Sequence, residues 1–345
     1  MKISDENLLN LRWIDTSDIG PCIALINEVF SINRSVTEYK WKFFDSPPQN
    51  VKVLIAEDAQ TRSIRGHYAV IPTFLNMSGE SLLCCQSGDT AVHKEAEGKG
   101  LFAKCATLAF ETLSNEGYSC VYGFPNANSY PGFARRLGWA RVGRLVKYRV
   151  VTKFKGVPLQ LWRLPLLQLR INKTLANNSA LRNSEVKLNE ALPEGINKLW
   201  AQVAPFEKFS LKKDKEYLDW RYSNNPICKY EYYSLEAEGN LLALLIGRME
   251  GKRFFITELL VIRKDLSFGT YLVQNVLRRM ILSLKVDAVE FVGRDDGFFD
   301  AAFSNFSSSA SSLIFCLRHF GDKVKQHQIE SFVNWTVTLG DLDNL

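Results

Sequence analysis

The sequence predicts an α/β fold, α+β sandwich-like in its layering, built from two tandem domains of one type. Three patterns carry this expectation. Residues Val92 to Phe124 read as the end of a strand, a glycine-bearing loop, a helix (Leu101 to Leu113) and a second strand, Cys120-Val121-Tyr122-Gly123-Phe124. Trp41-Lys42-Phe43 is followed by Pro47, and Trp220-Arg221-Tyr222 by Pro226 at the same spacing. Beyond these elements the match continues at a shorter offset. Val92 falls on Val261, Gly100 on Gly269 and Gly98 on Ser267, as a shorter hairpin in the second copy would produce. Leu101 to Leu113 then answers Thr270 to Leu284, and Cys120 to Phe124 answers Val289-Glu290-Phe291-Val292.

The elements follow in order. Asp15-Thr16-Ser17-Asp18 predicts the cap of an amphipathic helix running to Phe30. Val51 to Glu57, Ile64 to Ile71 and Glu80 to Val92 read as strands, with turns at Asp58–Arg62 and Asn76–Gly79. The helix after Gly100 sets Leu101, Cys105, Leu108 and Phe110 near one face. Gly138-Trp139 opens a last pair of strands through Val151. Residues 152–190 differ in character. Pro158 and Pro165 interrupt a run of leucines mixed with Trp162, Arg163, Arg170 and Lys173, and Asn177-Asn178-Ser179 marks a loop. This stretch reads as a linker on the surface, with a basic amphipathic membrane contact through residues 159–175 as the alternative. The expected limits are therefore a first domain at 1–151, the linker at 152–190 and a second domain at 191–345. Phe332 to Leu339 reads as a strand ending at Gly340-Asp341.

The loop at Gly98-Lys99-Gly100 suits an anion, because glycines let the backbone approach it and the next helix offers free N–H groups and a positive dipole end. A dinucleotide fingerprint wants its first glycine directly after a strand and an acid at the end of the next strand. Here charged residues precede Gly98, and the next strand ends Phe124-Pro125-Asn126 without an acid. A P-loop is excluded, since no Gly-Lys-Ser/Thr follows.

Across Gly88 to Trp139 the sequence resembles the GCN5-related N-acetyltransferases (GNAT superfamily). The residues that carry the likeness are Val92 to Phe102, then Pro125-Asn126-Ala127-Asn128-Ser129, then Phe133-Ala134-Arg135-Arg136-Leu137-Gly138-Trp139. The paired domains resemble the tandem acetyltransferases found among bacterial surface-polysaccharide enzymes. The resemblance implies in each domain a mixed, mostly antiparallel sheet with a splayed central strand pair flanked by helices. It also implies acetyl-CoA, or another short acyl-CoA, as cosubstrate. Two departures stand out: Glu95 occupies a position where the family usually has Gln or Arg, and Ala134 one where many members carry a tyrosine acid. The second copy keeps only one of the two loop glycines and is expected to bind acyl-CoA poorly or not at all.

Acyl transfer to an amine needs a polarised thioester, an amine that has lost its proton, and a thiolate that can leave. Resemblance puts the oxyanion contact on the backbone of Ala91, Val92 and His93, since fixed dipoles aimed at a developing charge need no reorganisation. It puts the pyrophosphate on Gly98, Lys99, Gly100 and Leu101, and Asn126 beside the pantetheine arm. Asp89 is the only acid between Leu82 and Val92 and is the candidate general base; His93 is the second candidate. Tyr130 is the candidate for the acid left vacant by Ala134.

Seven cysteines without regular spacing, no CxxC pair and four dispersed histidines argue against a disulfide framework and a metal site, and for a reducing cytoplasm. No signal core opens the chain and no apolar run is long enough to span a membrane. The net charge of +6 is mild and suits an anionic cofactor or substrate, while dispersed basic residues give no case for nucleic acid. The family likeness implies a small-molecule acceptor, the amine of a nucleotide-linked amino sugar. An aminoglycoside or other polyamine would want an acidic cleft, and the loops show no acidic cluster. A non-catalytic acyl-CoA-binding module is the third reading, consistent with Ala134. The sequence fixes no oligomeric state.

Overall fold

Capping side chains fix where the first helices begin. Ser35 accepts from the Glu38 amide and Glu38 reaches back to the Ser35 amide. This reciprocal box satisfies two donors that a helix start would otherwise leave open. Asp15 and Asp18 form a similar box one turn before the first helix. The computed structural model describes residues 9–125, 130–154, 157–158, 164–294 and 297–342.

In chain order the strands are β1 (Leu9–Trp13), β2 (Lys52–Asp58), β3 (Ile64–Met77), β4 (Glu80–Val92), β5 (Cys120–Gly123), β6 (Ala140–Val151), β7 (Lys153–Phe154), β8 (Val157–Pro158), β9 (Ser184–Asn189), β10 (Ser210–Leu211), β11 (Glu231–Ala237), β12 (Asn240–Glu250), β13 (Arg253–Val261), β14 (Ala288–Arg294), β15 (Ser307–His319) and β16 (Val337–Thr338). The helices that matter below are α1 (Ile19–Phe30), α2 (Val36–Phe43), α3 (Leu101–Asn115), α4 (Tyr130–Leu137) and α5 (Leu164–Asn177), then α6 (Ser179–Arg182), α7 (Ile196–Val203), α8 (Lys215–Leu218) and α9 (Leu266–Ser283).

One mixed sheet runs in the order β1-β2-β3-β4-β5-β15-β6-β14-β13-β12-β11-β9, with β10 beside β3 and β16 beside β14, while β7 and β8 form a separate pair. The expected class, a mixed α/β sheet flanked by helices, is what the chain adopts. The same element order occurs twice. β2-β3-β4-α3-β5 ends on the parallel pair β4/β5, and β11-β12-β13-α9-β14 ends on the parallel pair β13/β14. The second hairpin is shorter, with 11 and 9 residues in its strands against 14 and 13 in the first. One finding departs from the expectation of a sheet for each half. The late strand β15 lies between β5 and β6, and β6 pairs with β14. The halves thus exchange strands and share one core layer.

That layer, on the face covered by α1, α2 and α7, runs without a break from Ile19 to Leu342. The opposite face carries two separate clusters, one under α3 and one under α9. At the centre of the shared layer Trp41 and Trp220 stack at 5.7 Å. Trp41 donates its indole N–H to the Trp220 carbonyl (2.7 Å), and Trp220 donates to the Trp41 carbonyl (2.8 Å). A contact in which each residue does to its partner what the partner does to it is the mark of a two-fold relation. The repeat seen at an offset of 179 is this contact.

Three local readings change. Residues 140–151 form one long strand instead of a pair. In the tail only Val337–Thr338 is strand, between one-turn helices at Phe332–Asn334 and Leu339–Asp341. The 152–190 stretch is structured where described: α5 packs through Leu167 and Ile171 on the α9 cluster while leaving Leu166 and Leu169 exposed, and β9 joins the sheet beside β11. Among the described residues no helix is long and apolar enough to cross a membrane.

Candidate active site

The first parallel pair is short. β4 and β5 match only at Cys85–Val121 and Gln86–Tyr122; β5 then stops at Gly123, while β4 continues to Val92. On the other side β15 pairs with β5 up to Cys316–Gly123 and runs on to Ser307. A gap therefore opens in the sheet, walled by Ser87–Val92 of the first half and Ser307–Phe315 of the second. The β4 wall is bulged. His67 faces Ala91 and Ala69 faces Gly88, so Asp89 and Thr90 together oppose Tyr68. Asp89 takes a positive φ of 45°. Bulges re-aim backbone groups beside sites of this kind.

The amides on this wall divide. His93 N–H donates to the Arg65 carbonyl (2.9 Å), so it is spent on β3. Backbone direction alternates along an antiparallel pair. Ala91, two residues earlier, therefore also faces β3, and the Val92 amide faces the gap. Of the three backbone candidates for the oxyanion contact, Val92 alone offers its N–H.

The loop that follows is open. A one-turn helix at Lys94–Ala96 is capped by His93, whose Nδ1 accepts from the Glu95 amide (3.3 Å). Gly98 and Gly100 have φ of 74° and 75°, and a Cβ at either would meet nothing within 4 Å. Helix α3 starts at Leu101 with Gly100 as its cap and no capping side chain, so its first-turn N–H groups are open to an anion. Glu95, the unusual acid, is ion-paired to Arg65 at 2.8 Å. The corresponding loop of the second half is closed. Asp265 caps α9, accepting from the Ser267 and Phe268 amides at 2.8 and 3.3 Å. A Cβ at Gly269 would lie 2.7 Å from the Phe298 ring. A carboxylate already holds the N–H groups that a phosphate would need.

The side-chain candidates for acid–base work fare differently. The Asp89 carboxylate is buried between Arg34 and Lys42, 2.9 Å from the Lys42 ammonium. Burial alone would raise its pKa, but the two cations outweigh it and hold it at about 2. A carboxylate so matched is a weak proton acceptor. Asp89, expected as the general base, sits as an ion-pair node between these two cations. His93, the second candidate, is engaged as well. Its Nδ1 is taken by the Glu95 amide and by Arg65 (3.1 Å), and its Nε2 points to Glu28 at 3.5 Å, which leaves no lone pair for an amine proton. Tyr130 begins α4, half-buried against the core cluster under α3. Asn126 lies outside the described residues.

Several residues escaped the sequence reading. His67, fully buried, donates from Nδ1 to the Asp89 carbonyl (2.8 Å) and accepts at Nε2 from the Tyr39 hydroxyl (2.9 Å). It thereby ties down the strained bulge. Burial lowers its pKa to about 4, so it is neutral in the fold. Unfolding releases a histidine that titrates near 6.5, so the unfolded chain binds more protons between those values. The stability this residue brings is complete above pH 6.5 and is lost as pH falls toward 4, by about 3 kcal/mol. Thermal melts at pH 7 and pH 4.5 should show the fall in the native chain and a flatter profile in His67→Gln; parallel falls would contradict the assignment.

The Asp89 cluster has a twin. At the repeat offsets Arg34 corresponds to Lys213, Lys42 to Arg221 and Asp89 to Glu258. In the second half Lys213 pairs with Glu258 (2.7 Å) and with Asp341 of the tail (3.0 Å). Thr338 and Tyr222 both donate to Glu258 Oε1 (3.0 and 2.8 Å), and Arg221 Nε donates to the Gly340 carbonyl (3.0 Å). β16 pairs with β14 at Gly293 and Arg294, beyond the end of the β13/β14 match. A Cβ at Gly340 would collide with Tyr222 and Glu258. The tail, residues 337–341, thus fills the second wedge. Both ion clusters left a signal in the sequence, as like-charged residues at the two repeat offsets, 179 for the cations and 169 for the carboxylates.

With this geometry in view, the comparisons identify the class. Residues 10–142 match the family described as the acetyltransferase (GNAT) domain. The match marks the first part of the chain as a GNAT acetyltransferase domain, and such a domain points to an acyltransferase that takes its acyl group from CoA. Among solved structures it is similar to a probable N-acyltransferase from Enterococcus faecalis (13% identity, 90% of this chain and 72% of that one, TM-score 0.64). It is also similar to a GCN5-related N-acetyltransferase from Anabaena variabilis (11%, 90% and 72%, 0.62). A third is the N-myristoyltransferase of Saccharomyces cerevisiae, solved with bound myristoyl-CoA (13%, 95% and 89%, 0.59). At such identities the likeness is one of fold. No curated protein matches the sequence.

Proposed function

We propose that the chain is a tandem enzyme, with domains at 1–151 and 191–345, that transfers an acetyl or other short acyl group from CoA to the amine of a nucleotide-linked amino sugar. The observation that carries the reading is the contrast between the two loops. The α3 N-terminus is uncapped behind open glycines, and the α9 N-terminus is closed by Asp265. The pyrophosphate rests on the amides of Gly98 to Leu101, with Lys99 exposed beside them. The thioester carbonyl lies against the Val92 N–H, which strengthens its hold as the oxygen gains charge. The amine attacks the carbonyl carbon, the C–S bond breaks, and Tyr130 gives a proton to the departing thiolate. Asp89 and His93 are engaged elsewhere, so the amine arrives unprotonated and its proton leaves to solvent. The rate then rises with pH along the amine's own titration. Seven unpaired cysteines support a reducing cytoplasm.

The test is thiol release from acetyl-CoA with the pure protein, against panels of nucleotide-linked amino sugars and aminoglycosides. Release with the nucleotide sugars is expected. Release only with aminoglycosides would favour the polyamine reading, and tight acetyl-CoA binding without release from any amine would favour a non-catalytic module.

A further inference from the structure

The +6 net charge is not evenly spread. Between Gly117 and Ser184 the chain has 12 lysines and arginines and no acid. That stretch includes β6, which lies next to β15, whose far edge walls the acyl-CoA gap. On the face of β6 that carries Leu145 into the shared core, the next two outward residues are Lys147 and Arg149. Their neighbours in register are Ser309 and Ser307 on β15, and on β14 Arg149 faces Glu290. Glu290 is buried, with 2% of its side chain exposed, and lies 3.0 Å from Lys147, 3.2 Å from Arg149 and 4.0 Å from Arg253. The three cations keep 33%, 46% and 46% of their side chains exposed.

Arg253 also lies 3.7 Å from Glu250, so the three half-exposed cations face two carboxylates and keep one positive charge in excess, with Glu290 buried beneath them. The carboxylate also holds the cations in place. A cation pre-positioned by a buried partner loses little freedom when it binds an anion, and guanidinium and phosphate match in geometry. Sheet strands lie about 4.8 Å apart, so Arg253 on β13 sits three strands from the gap edge, and Lys147 and Arg149 on β6 sit one strand from it. This is the separation that links an amine on a sugar ring to the phosphates on the same ring. The serine hydroxyls of β15 lie between the two.

We propose that Lys147, Arg149 and Arg253 form the diphosphate-binding part of the acceptor site. The proposal rests on the nucleotide-linked acceptor argued above, and it makes the two halves jointly necessary. The first half holds the acyl donor, while the acceptor lies across β15, β6, β14 and β13. The cluster plays no part in holding acyl-CoA.

The test is calorimetric and needs no turnover. The full chain is saturated with acetyl-CoA, so that its own nucleotide site is filled, and then titrated with uridine diphosphate and, separately, inorganic pyrophosphate. Both should bind, the nucleotide more tightly if the nucleoside is also recognised. Arg149→Gln and Arg253→Gln should each weaken binding about tenfold, as the loss of one charge-assisted contact implies. Acetyl-CoA affinity should hold within about twofold, which also shows that the variants fold. Failure of both ligands to bind the acetyl-CoA complex would overturn the site, as would equal binding by folded variants. Diphosphate binding lost in the variants, without any acetylation of nucleotide amino sugars, would leave this site standing and remove the proposed reaction. Acetylation of nucleotide amino sugars with no diphosphate binding at this cluster would do the reverse.

Discussion

Gly100→Val, and equally Gly98→Val, is expected to abolish acyl-CoA binding while leaving the protein folded. Both glycines have left-handed φ, which costs an L-residue roughly 1–2 kcal/mol and a β-branched one more. Neither has a protein atom within 4 Å of where a Cβ would go. The added side chain therefore takes up open space at the loop that is proposed to hold the pyrophosphate. Affinity should fall by at least about a hundredfold, the scale of several charge-assisted hydrogen bonds. The melting temperature should move by only a few degrees. Gly269→Val in α9 is the control. There the new atoms run into Phe298. That change should lower stability without touching acyl-CoA affinity. A folded Gly100→Val that binds acetyl-CoA normally would remove the loop from the site.

Asp89→Asn should act on stability before it acts on chemistry. The substitution leaves Arg34 and Lys42, both largely buried, without the carboxylate that pairs them. Removing one partner of a buried ion cluster typically costs about 3–5 kcal/mol. The expected result is a large drop in melting temperature or loss of folded protein. In the folded fraction the rise of rate with pH should be unchanged, because the proton in question belongs to the amine. The opposite pattern is equally clear-cut. A variant of normal stability whose turnover falls by about 10²–10⁴, with a flattened pH profile, would restore Asp89 as the general base.

Much of the fold was legible because its signals are local or repeated. The glycine loop announced itself through two residues that tolerate positive φ, and the Trp41 and Trp220 elements through their common spacing. The strand exchange that places β15 beside β5 was not legible, because pairing partners 190 or more residues apart leave no period in the sequence. The surroundings of Asp89 were not legible for a related reason. As the only acid on its strand it looked poised for a proton, and the cations that neutralise it come from a loop and a helix some fifty residues earlier. His93 looked like a free imidazole until its capping role was visible. The closure of the second wedge was half legible. Ser267 in place of a glycine was in the sequence, but Asp265 as a helix cap and residues 337–341 as a plug appear only once the tail is placed.

One acyl-CoA is expected to bind per chain, at the first wedge only. The most direct measurement is a crystal structure of the full chain grown with acetyl-CoA in excess. A single ligand is expected, its diphosphate on the amides of Gly98 to Leu101 and its thioester carbonyl at the Val92 N–H, with residues 337–341 still seated between β13 and β14. A second acetyl-CoA on the α9 N-terminus, with the tail displaced, would contradict it, as would a single ligand bound there and an empty first loop.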